Sequence, residues 1–260
     1  MTPKMKNRPI LSPFFLDKHS SGLKSLLKPG WQINEPVLPE GEVQTRMSVV
    51  HQSLADLVTK AVLNQERPVS LAGDCCTAMA VLAGLQRTGI NPLLIWFDAH
   101  GDFNTWETTP SGFLGGMPLA MLVGKGEQTM PNAIGLKPQP EDKVILTDAR
   151  DLDPGERELI QKSALTHLTS LEALLNFQLP DDPIYVHFDT DVVRPEESPA
   201  QNYLAKGGPT AETVRVVFKR LAQAGKVVAA SLSAWNPDLE QDQKSETVSL
   251  SLLQTLIGEL

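Results

Sequence analysis

Short apolar runs of strand length alternate along this chain with stretches in which apolar residues return every third or fourth position. The runs at 69–71, 93–97, 143–146, 184–188 and 227–232 are rich in Val, Ile, Leu or Phe and predict strands. Between them, Met47, Val50, Leu54, Leu57, Val58 and Val62 recur at helical spacing, as do Met79, Leu82 and Leu85. Pro209, Thr210 and Glu212 open a further helix, striped by Val214, Val217, Phe218 and Leu221 and stopped by Gly225. The segment 248–257 reads as a last helix. Strands that alternate with helices build a parallel sheet covered on both faces, so the fold class is α/β. No Ser/Gly-rich, Pro-rich or like-charge tract divides the 260 residues, which predicts a single domain over 1–260.

Composition narrows the function. With Lys+Arg 23 against Asp+Glu 31 and a net charge of -8, the chain lacks the basic footprint that a phosphate backbone requires, which argues against nucleic-acid partners. Its apolar runs fall far short of the roughly 20 residues of a membrane-spanning helix, and the start carries basic residues without an apolar signal core. The only cysteines, Cys75 and Cys76, are adjacent and can staple no distant loop. These features predict a soluble protein of a reducing, cytoplasmic compartment.

The strand runs end in small or acidic residues: Ser-Leu-Ala-Gly-Asp-Cys-Cys at 70–76, Ile-Trp-Phe-Asp-Ala-His-Gly-Asp at 95–102 and Val-His-Phe-Asp-Thr-Asp at 186–191. Open parallel sheets bind ligands outside the carboxyl ends of their strands, so these ends point to one crevice. In an extended segment Asp98, His100 and Asp102 share a face, and Asp189 and Asp191 repeat the arrangement. Any one Asp at a strand end can be a turn former. Together with Cys75, however, the carboxylates and imidazole form a cluster that repels itself unless a counter-charge is present. Two divalent cations resolve that conflict. Such ligands suit Mn²⁺ or a similar ion, and two metals about 3.5–4 Å apart can share a hydroxide nucleophile. His187 shares the face of Asp189 and could orient a carboxylate; Cys76 is expected to pack, and His51 and His167 to lie at the surface.

The Asp-Ala-His-Gly-Asp segment at 98–102, followed far downstream by Phe-Asp-Thr-Asp at 188–191, resembles the arginase/agmatinase (ureohydrolase) superfamily over most of the chain. The resemblance implies an arginase-like three-layer sandwich: a central, mostly parallel sheet with helices on both faces. It also implies a dimanganese centre held by Cys75, Asp98, His100, Asp102, Asp189 and Asp191. Asp98 and Asp189 would bridge the metals, Cys75 and Asp102 would complete one ion, and His100 and Asp191 the other. The family's bridging hydroxide attacks a guanidino-type carbon, and Asp102 is the local acceptor for its proton. The segment 102–118 is similar to the loop with which arginases hold an amino acid, which makes Asn104 and Ser111 candidates for the α-carboxylate. The segment 150–156 likewise makes Asp153 the candidate for the α-amino group. Trimers or hexamers are the family's usual assemblies.

Three departures qualify the likeness. Cys75 stands where the family has a His ligand, and its softer sulfur could shift metal preference toward Zn²⁺, Fe²⁺ or Co²⁺. The His that shuttles protons in arginases falls at Gly115, and the carboxylate that faces the guanidinium falls at Ala234. A guanidinium is always cationic, and burying it unpaired is costly. A less basic N-hydroxyguanidine fits better, and the Cys-for-His exchange resembles the branch that hydrolyses Nω-hydroxy-L-arginine in D-cycloserine biosynthesis. The expected reaction gives ornithine and hydroxyurea. The alternatives are an arginase-type or formimino-acid hydrolase with another linear amidine, or a weakly active or inactive binding homologue. His19, in a loop after the first strand, is the candidate replacement in proton transfer, and Trp106 and Trp235 could shape the pocket.

Overall fold

In the computed structural model, which describes residues 5–260, all five apolar runs form strands. In chain order the strands are β1 (Lys6–Ser12), β2 (Phe14–Phe15), β3 (Lys18–His19), β4 (Gln32–Ile33), β5 (Glu66–Ala72), β6 (Leu93–His100), β7 (Val144–Asp151), β8 (Thr166–Leu168), β9 (Ile184–Asp189) and β10 (Val227–Ser233). The helices are α1 (Ser21–Lys24), α2 (Val43–Leu63), α3 (Ala78–Arg87), α4 (Pro118–Leu122), α5 (Thr129–Ala133), α6 (Pro154–Lys162), α7 (Ala173–Asn176), α8 (Ala211–Ala224) and α9 (Lys244–Ile257). Strands β2 and β3 form a small antiparallel hairpin, Phe14 opposite His19.

The other eight strands form one sheet in the order β4-β1-β5-β10-β9-β6-β7-β8, and every pairing is parallel. Such a sheet must be covered on both sides, which explains why β6 is apolar without interruption from Leu93 to Phe97. Leu94, Trp96, Leu146 and Tyr185 pack against one layer with α2, α3 and α4; Ile95, Phe97, Val186 and Phe188 pack against the other with α8 and α9. The result is the expected three-layer α/β sandwich. None of the described helices is long and apolar enough to cross a membrane.

Helix α2 buries Met47, Val50, Leu54 and Val58, as its spacing predicts, and α3 closes on it at Gly84, where a β-carbon would come within 2.6 Å of Val58. The same helix corrects one expectation. His51 is buried on the core side at 1% exposure, because α2 sinks a face wide enough to include it. His167, also expected at the surface, lies half-buried on edge strand β8, with Nε2 3.1 Å from the Asp148 carbonyl. Thr210 caps α8 through its side chain and Gly225 ends it in the left-handed conformation, as predicted. Helix α6 has no apolar stripe to betray it and is started instead by a capping box between Asp153 and Glu156.

Candidate metal centre

The carboxyl ends of the central strands β5, β10, β9 and β6 converge, but regular strand alternation is not what aims their side chains. Strand β6 is irregular between Asp98 and His100, and Asp102 has a left-handed backbone at φ 51°. The predicted simple one-face arrangement of Asp98, His100 and Asp102 is therefore replaced by a bulged one. Its backbone is tied down by the cluster itself: the His100 N–H donates to Asp98 Oδ1 at 2.7 Å and the Ala99 N–H to Asp191 Oδ1 at 3.1 Å. Strand β9 stops at Asp189 and turns at once, so that Asp189 Oδ1 accepts from the Asp191 N–H at 2.8 Å. One oxygen of Asp189 caps its own turn while Oδ2 accepts from the Cys75 thiol at 2.9 Å. Asp74 is more purely structural, accepting from the Cys76 and Leu16 N–H groups. Cys76 is fully buried, as expected.

Two sets of donor atoms lie close enough to share an ion. Asp98, His100 and Asp191 form one, and Cys75, Asp98 and His187 the other, with the atoms of each set within 4.8 Å of one another. His100 Nδ1 is 2.9 Å from Asp191 Oδ2 and 3.5 Å from Asp98 Oδ1. Asp98, Asp102, Asp189 and Asp191 are all buried. Burial, reinforced by Asp191, raises Asp98 to about 6. Burial and neighbouring carboxylates push Asp102 and Asp189 well above the usual range. Asp191 is held low in spite of burial, because His100 hydrogen-bonds it. Burial opposes a charge on His100, but its bonds to Asp191 and Asp98 outweigh this and push it up to about 12. Burial, then Asp189, also raises the Cys75 thiol. Asp102 Oδ2 is buried without any hydrogen-bond partner. An orphaned carboxylate oxygen amid crowded, buried oxygens, an imidazole and a thiol is a donor set that fits divalent cations.

The cluster opens into a cavity of about 450 Å³. Asn104, Ser111 and Asp153 all line it, together with Cys75, His100, Asp102, Asp189 and Asp191. Asn104 Nδ2 donates to Asp153 Oδ2 at 3.0 Å and its Oδ1 accepts from Thr108 at 3.0 Å, so the pair is fixed before any ligand arrives. Ser111 is exposed at the rim, where its hydroxyl accepts from the Phe113 N–H. His19 is not brought to this cavity. The β2–β3 hairpin carries it outward, where its Nε2 lies 2.7 Å from Glu35. Trp106 is also outside the lining and half-exposed, and Trp235 is buried behind Ala234 with its indole N–H on Glu240.

Sequence reasoning missed several residues around the cluster. Glu156 lines the cavity, accepts from the Phe103 N–H at 2.8 Å and is raised by burial to about 7. Its signal was the capping-box spacing from Asp153. Arg150 pairs with Asp148 and donates to the carbonyls of Asp191, Val192 and Ala205, binding the end of β7 to the turn after β9. Asp148 and Ala149, both with positive φ (67° and 47°), form the strained bend that this clamp holds. His187, which the sequence did set on the Asp189 face, is buried between flanking strands, stacked on Trp96 at 3.7 Å, with Nδ1 2.8 Å from Ser231 Oγ and Nε2 3.3 Å from Ser233 Oγ. Burial lowers it to about 3, leaving a neutral ring.

A parallel α/β sheet with a polar cavity outside its central strand ends defines the class, an open-sheet α/β protein with its ligand site at the strand ends. The comparisons with known proteins define the family. The Arginase family model matches residues 34–258. The arginase of Bacillus subtilis strain 168 is 31% identical over 240 residues, covering 86% of this chain and 81% of its own. The N(omega)-hydroxy-L-arginine amidinohydrolase of Streptomyces lavendulae is 29% identical over 212 residues, covering 80% and 74%. A crystal structure of the Bacillus subtilis arginase matches with a TM-score of 0.81 and 26% identity over 98% of this chain and 99% of that chain. The chain belongs to the arginase family and is a hydrolase acting on the C–N bonds of amidine or guanidino compounds.

Proposed function

We propose that this enzyme hydrolyses Nω-hydroxy-L-arginine to L-ornithine and hydroxyurea, using two divalent metal ions, Mn²⁺ first among them. The observation that carries the choice of substrate is that Ala234 lines the cavity wall at the position where the arginase resemblance places the guanidinium-facing carboxylate. Arginine would bring a permanent guanidinium to that wall, and an unpaired buried cation is costly. The less basic hydroxyguanidine can enter neutral. Phe113 supports the same reading, since its ring crowds Gly115 and occupies the space in which a proton-shuttling side chain would stand.

Cys75, Asp98, His100, Asp102, Asp189 and Asp191 are the residues that would hold the ions. Bound there, the metal pair supplies a water ionised near neutral pH as the nucleophile. Asp153, aligned by Asn104, receives the α-ammonium, while Asn104 and Ser111 donate to the α-carboxylate. These contacts fix the distal carbon over the cluster and turn the attack into an effectively unimolecular step. Asp102, whose Oδ2 has no other partner, accepts the nucleophile's proton and returns it to the departing amine of ornithine.

The test is product analysis after Mn²⁺ loading, with hydroxyurea, urea and ornithine quantified from Nω-hydroxy-L-arginine and from L-arginine. The proposal expects hydroxyurea formation with the higher kcat/KM. Equal or faster release of urea from L-arginine would overturn it in favour of an ordinary arginase, a reading that the 31% identity to the Bacillus subtilis enzyme favours.

A further inference from the structure

We propose that His187 is itself a metal ligand, donating Nε2 to the ion that Cys75 and Asp98 hold, so that this site is completed by an imidazole from within the sheet. The inference rests on the dinuclear reading above and adds a residue to it.

Three observations carry it. The first is distance: one donor atom each from Cys75, Asp98 and His187 lie within 4.8 Å of one another, a span that a single ion can bridge with small side-chain adjustments. The second is orientation. In the parallel register Ser231, His187 and Trp96 sit side by side on β10, β9 and β6. Trp96 stacks on the imidazole and also donates its indole N–H to Asp98 Oδ2 at 3.1 Å, so a single side chain positions both His187 and Asp98. Ser231 Oγ lies 2.8 Å from Nδ1 and 2.7 Å from the Tyr185 hydroxyl, a chain that fixes the ring and gives the Nδ1 proton an acceptor. A ligating histidine ordinarily has its other ring nitrogen satisfied in this way.

The third observation is what Nε2 faces. Its partner is Ser233 Oγ at 3.3 Å, a long contact, and that hydroxyl is in turn 3.1 Å from Cys75 Sγ. With its proton on Nδ1 toward Ser231, the neutral ring turns the Nε2 lone pair to the thiol side of the cluster, with only a rotatable hydroxyl between them. Asp102 Oδ2 is unpartnered in the same cluster. Sulfur and nitrogen together make this the softer of the two metal sites, while the Asp98, His100 and Asp191 site has mainly oxygen donors. The two positions are therefore chemically unequal, and a borderline-soft ion such as Co²⁺ or Zn²⁺ fills the Cys75–His187 site first.

The experiment loads the full-length protein with Co²⁺ and reads it spectroscopically. Titration of the wild type should give a thiolate-to-metal charge-transfer band with the first equivalent. Proton NMR of the fully loaded protein should show paramagnetically shifted imidazole N–H signals from two histidines, His100 and His187. In His187→Gln one shifted signal should vanish, and the thiolate-reporting site should weaken by more than the roughly 10–100-fold that follows loss of a group that only hydrogen-bonds a ligand. Ser233→Ala, which removes the intervening hydroxyl, should keep both signals. Two bound Co²⁺ with the thiolate band but a single shifted histidine in the wild type would overturn the inference and leave the dinuclear reading intact. Failure of the wild type to bind Co²⁺ at all would sink both. Because the wild-type count of shifted histidines decides the matter, a folding defect in the variant does not rescue the idea.

Discussion

A β-carbon placed on Gly115 would lie 2.4 Å from the ring of Phe113. Phe15 stacks on that ring at 6.3 Å and Tyr203 packs against it at 4.9 Å, and all three aromatics line the cavity. Gly115→His, the exchange that would restore a shuttle, must therefore displace the aromatic rim. We expect it to lower stability by about 1–3 kcal/mol, as overpacking does, and to leave turnover no faster. Phe113→Ala in the same chain should recover most of that loss. Thermal unfolding of the single and double variants checks both statements.

Ala234 sits on the cavity wall with a left-handed backbone, φ 68°. Ala234→Glu would supply a carboxylate to a cationic substrate, and hydrogen bonds to charged groups contribute roughly 1.5–3 kcal/mol. The ratio of kcat/KM for L-arginine to that for Nω-hydroxy-L-arginine should rise by roughly 10–100-fold, on the scale of a factor of ten per 1.36 kcal/mol. A ratio unchanged in steady-state assays of both substrates would show that this wall does not select the substrate.

Arg150 holds the strained bend at Asp148 and Ala149 to the turn that carries Asp191. Arg150→Met removes the cation and leaves Asp148 mostly buried and unpaired, which should cost about 3–5 kcal/mol. Backbone amides of residues 189–193 should then exchange faster with deuterium, while those of α2 stay protected. If protection were lost equally in both segments, Arg150 would be supporting the whole fold and not this turn.

The buried His51 is lowered to about 4 by desolvation, below its unfolded value near 6.5. Between those values the unfolded chain binds the proton and the folded one resists it, so stability falls as pH drops from about 6.5 to about 4. The shift corresponds to about 3 kcal/mol. His51→Leu should abolish that part of the acid loss. Urea unfolding at pH 7 and at pH 4.5 measures it, and equal pH sensitivity in the variant would remove His51 as the cause.

The central strands were legible because both of their faces are apolar, which leaves runs such as 93–97 with no polar interruption. Edge strands β4 and β8 span two and three residues, too short for any periodicity to register. At the site, residue type, spacing at the strand ends and the family resemblance together exposed the Asp and His clusters. What no local pattern could show was how they are aimed, because the bend at Asp102 is secured from afar by Glu156 on the Phe103 N–H, and Asp191 by Arg150. Alternation did place His187 on the Asp189 face. Its neighbours Trp96 and Ser231 come from strands β6 and β10, and only the sheet register sets them beside it. His19 illustrates the reverse: its loop does follow β1, but a two-residue hairpin turns it to Glu35.

The position of β10 between β5 and β9 governs the order in which the molecule can be assembled. Every other strand precedes it in the chain, yet β5 with β1 and β4 lies on one side and β9 with β6, β7 and β8 on the other. Until Val227–Ser233 inserts, Cys75 and Asp189 belong to two half-sheets with no ladder between them. Such non-local pairing is slow and exposes unpaired strand edges while it waits. Completion of the cluster is thereby tied to the last strand: Asp98, His100 and Asp191 meet on the half-sheet that pairs β6 with β9, and Cys75 joins them only once β10 stands between β5 and β9.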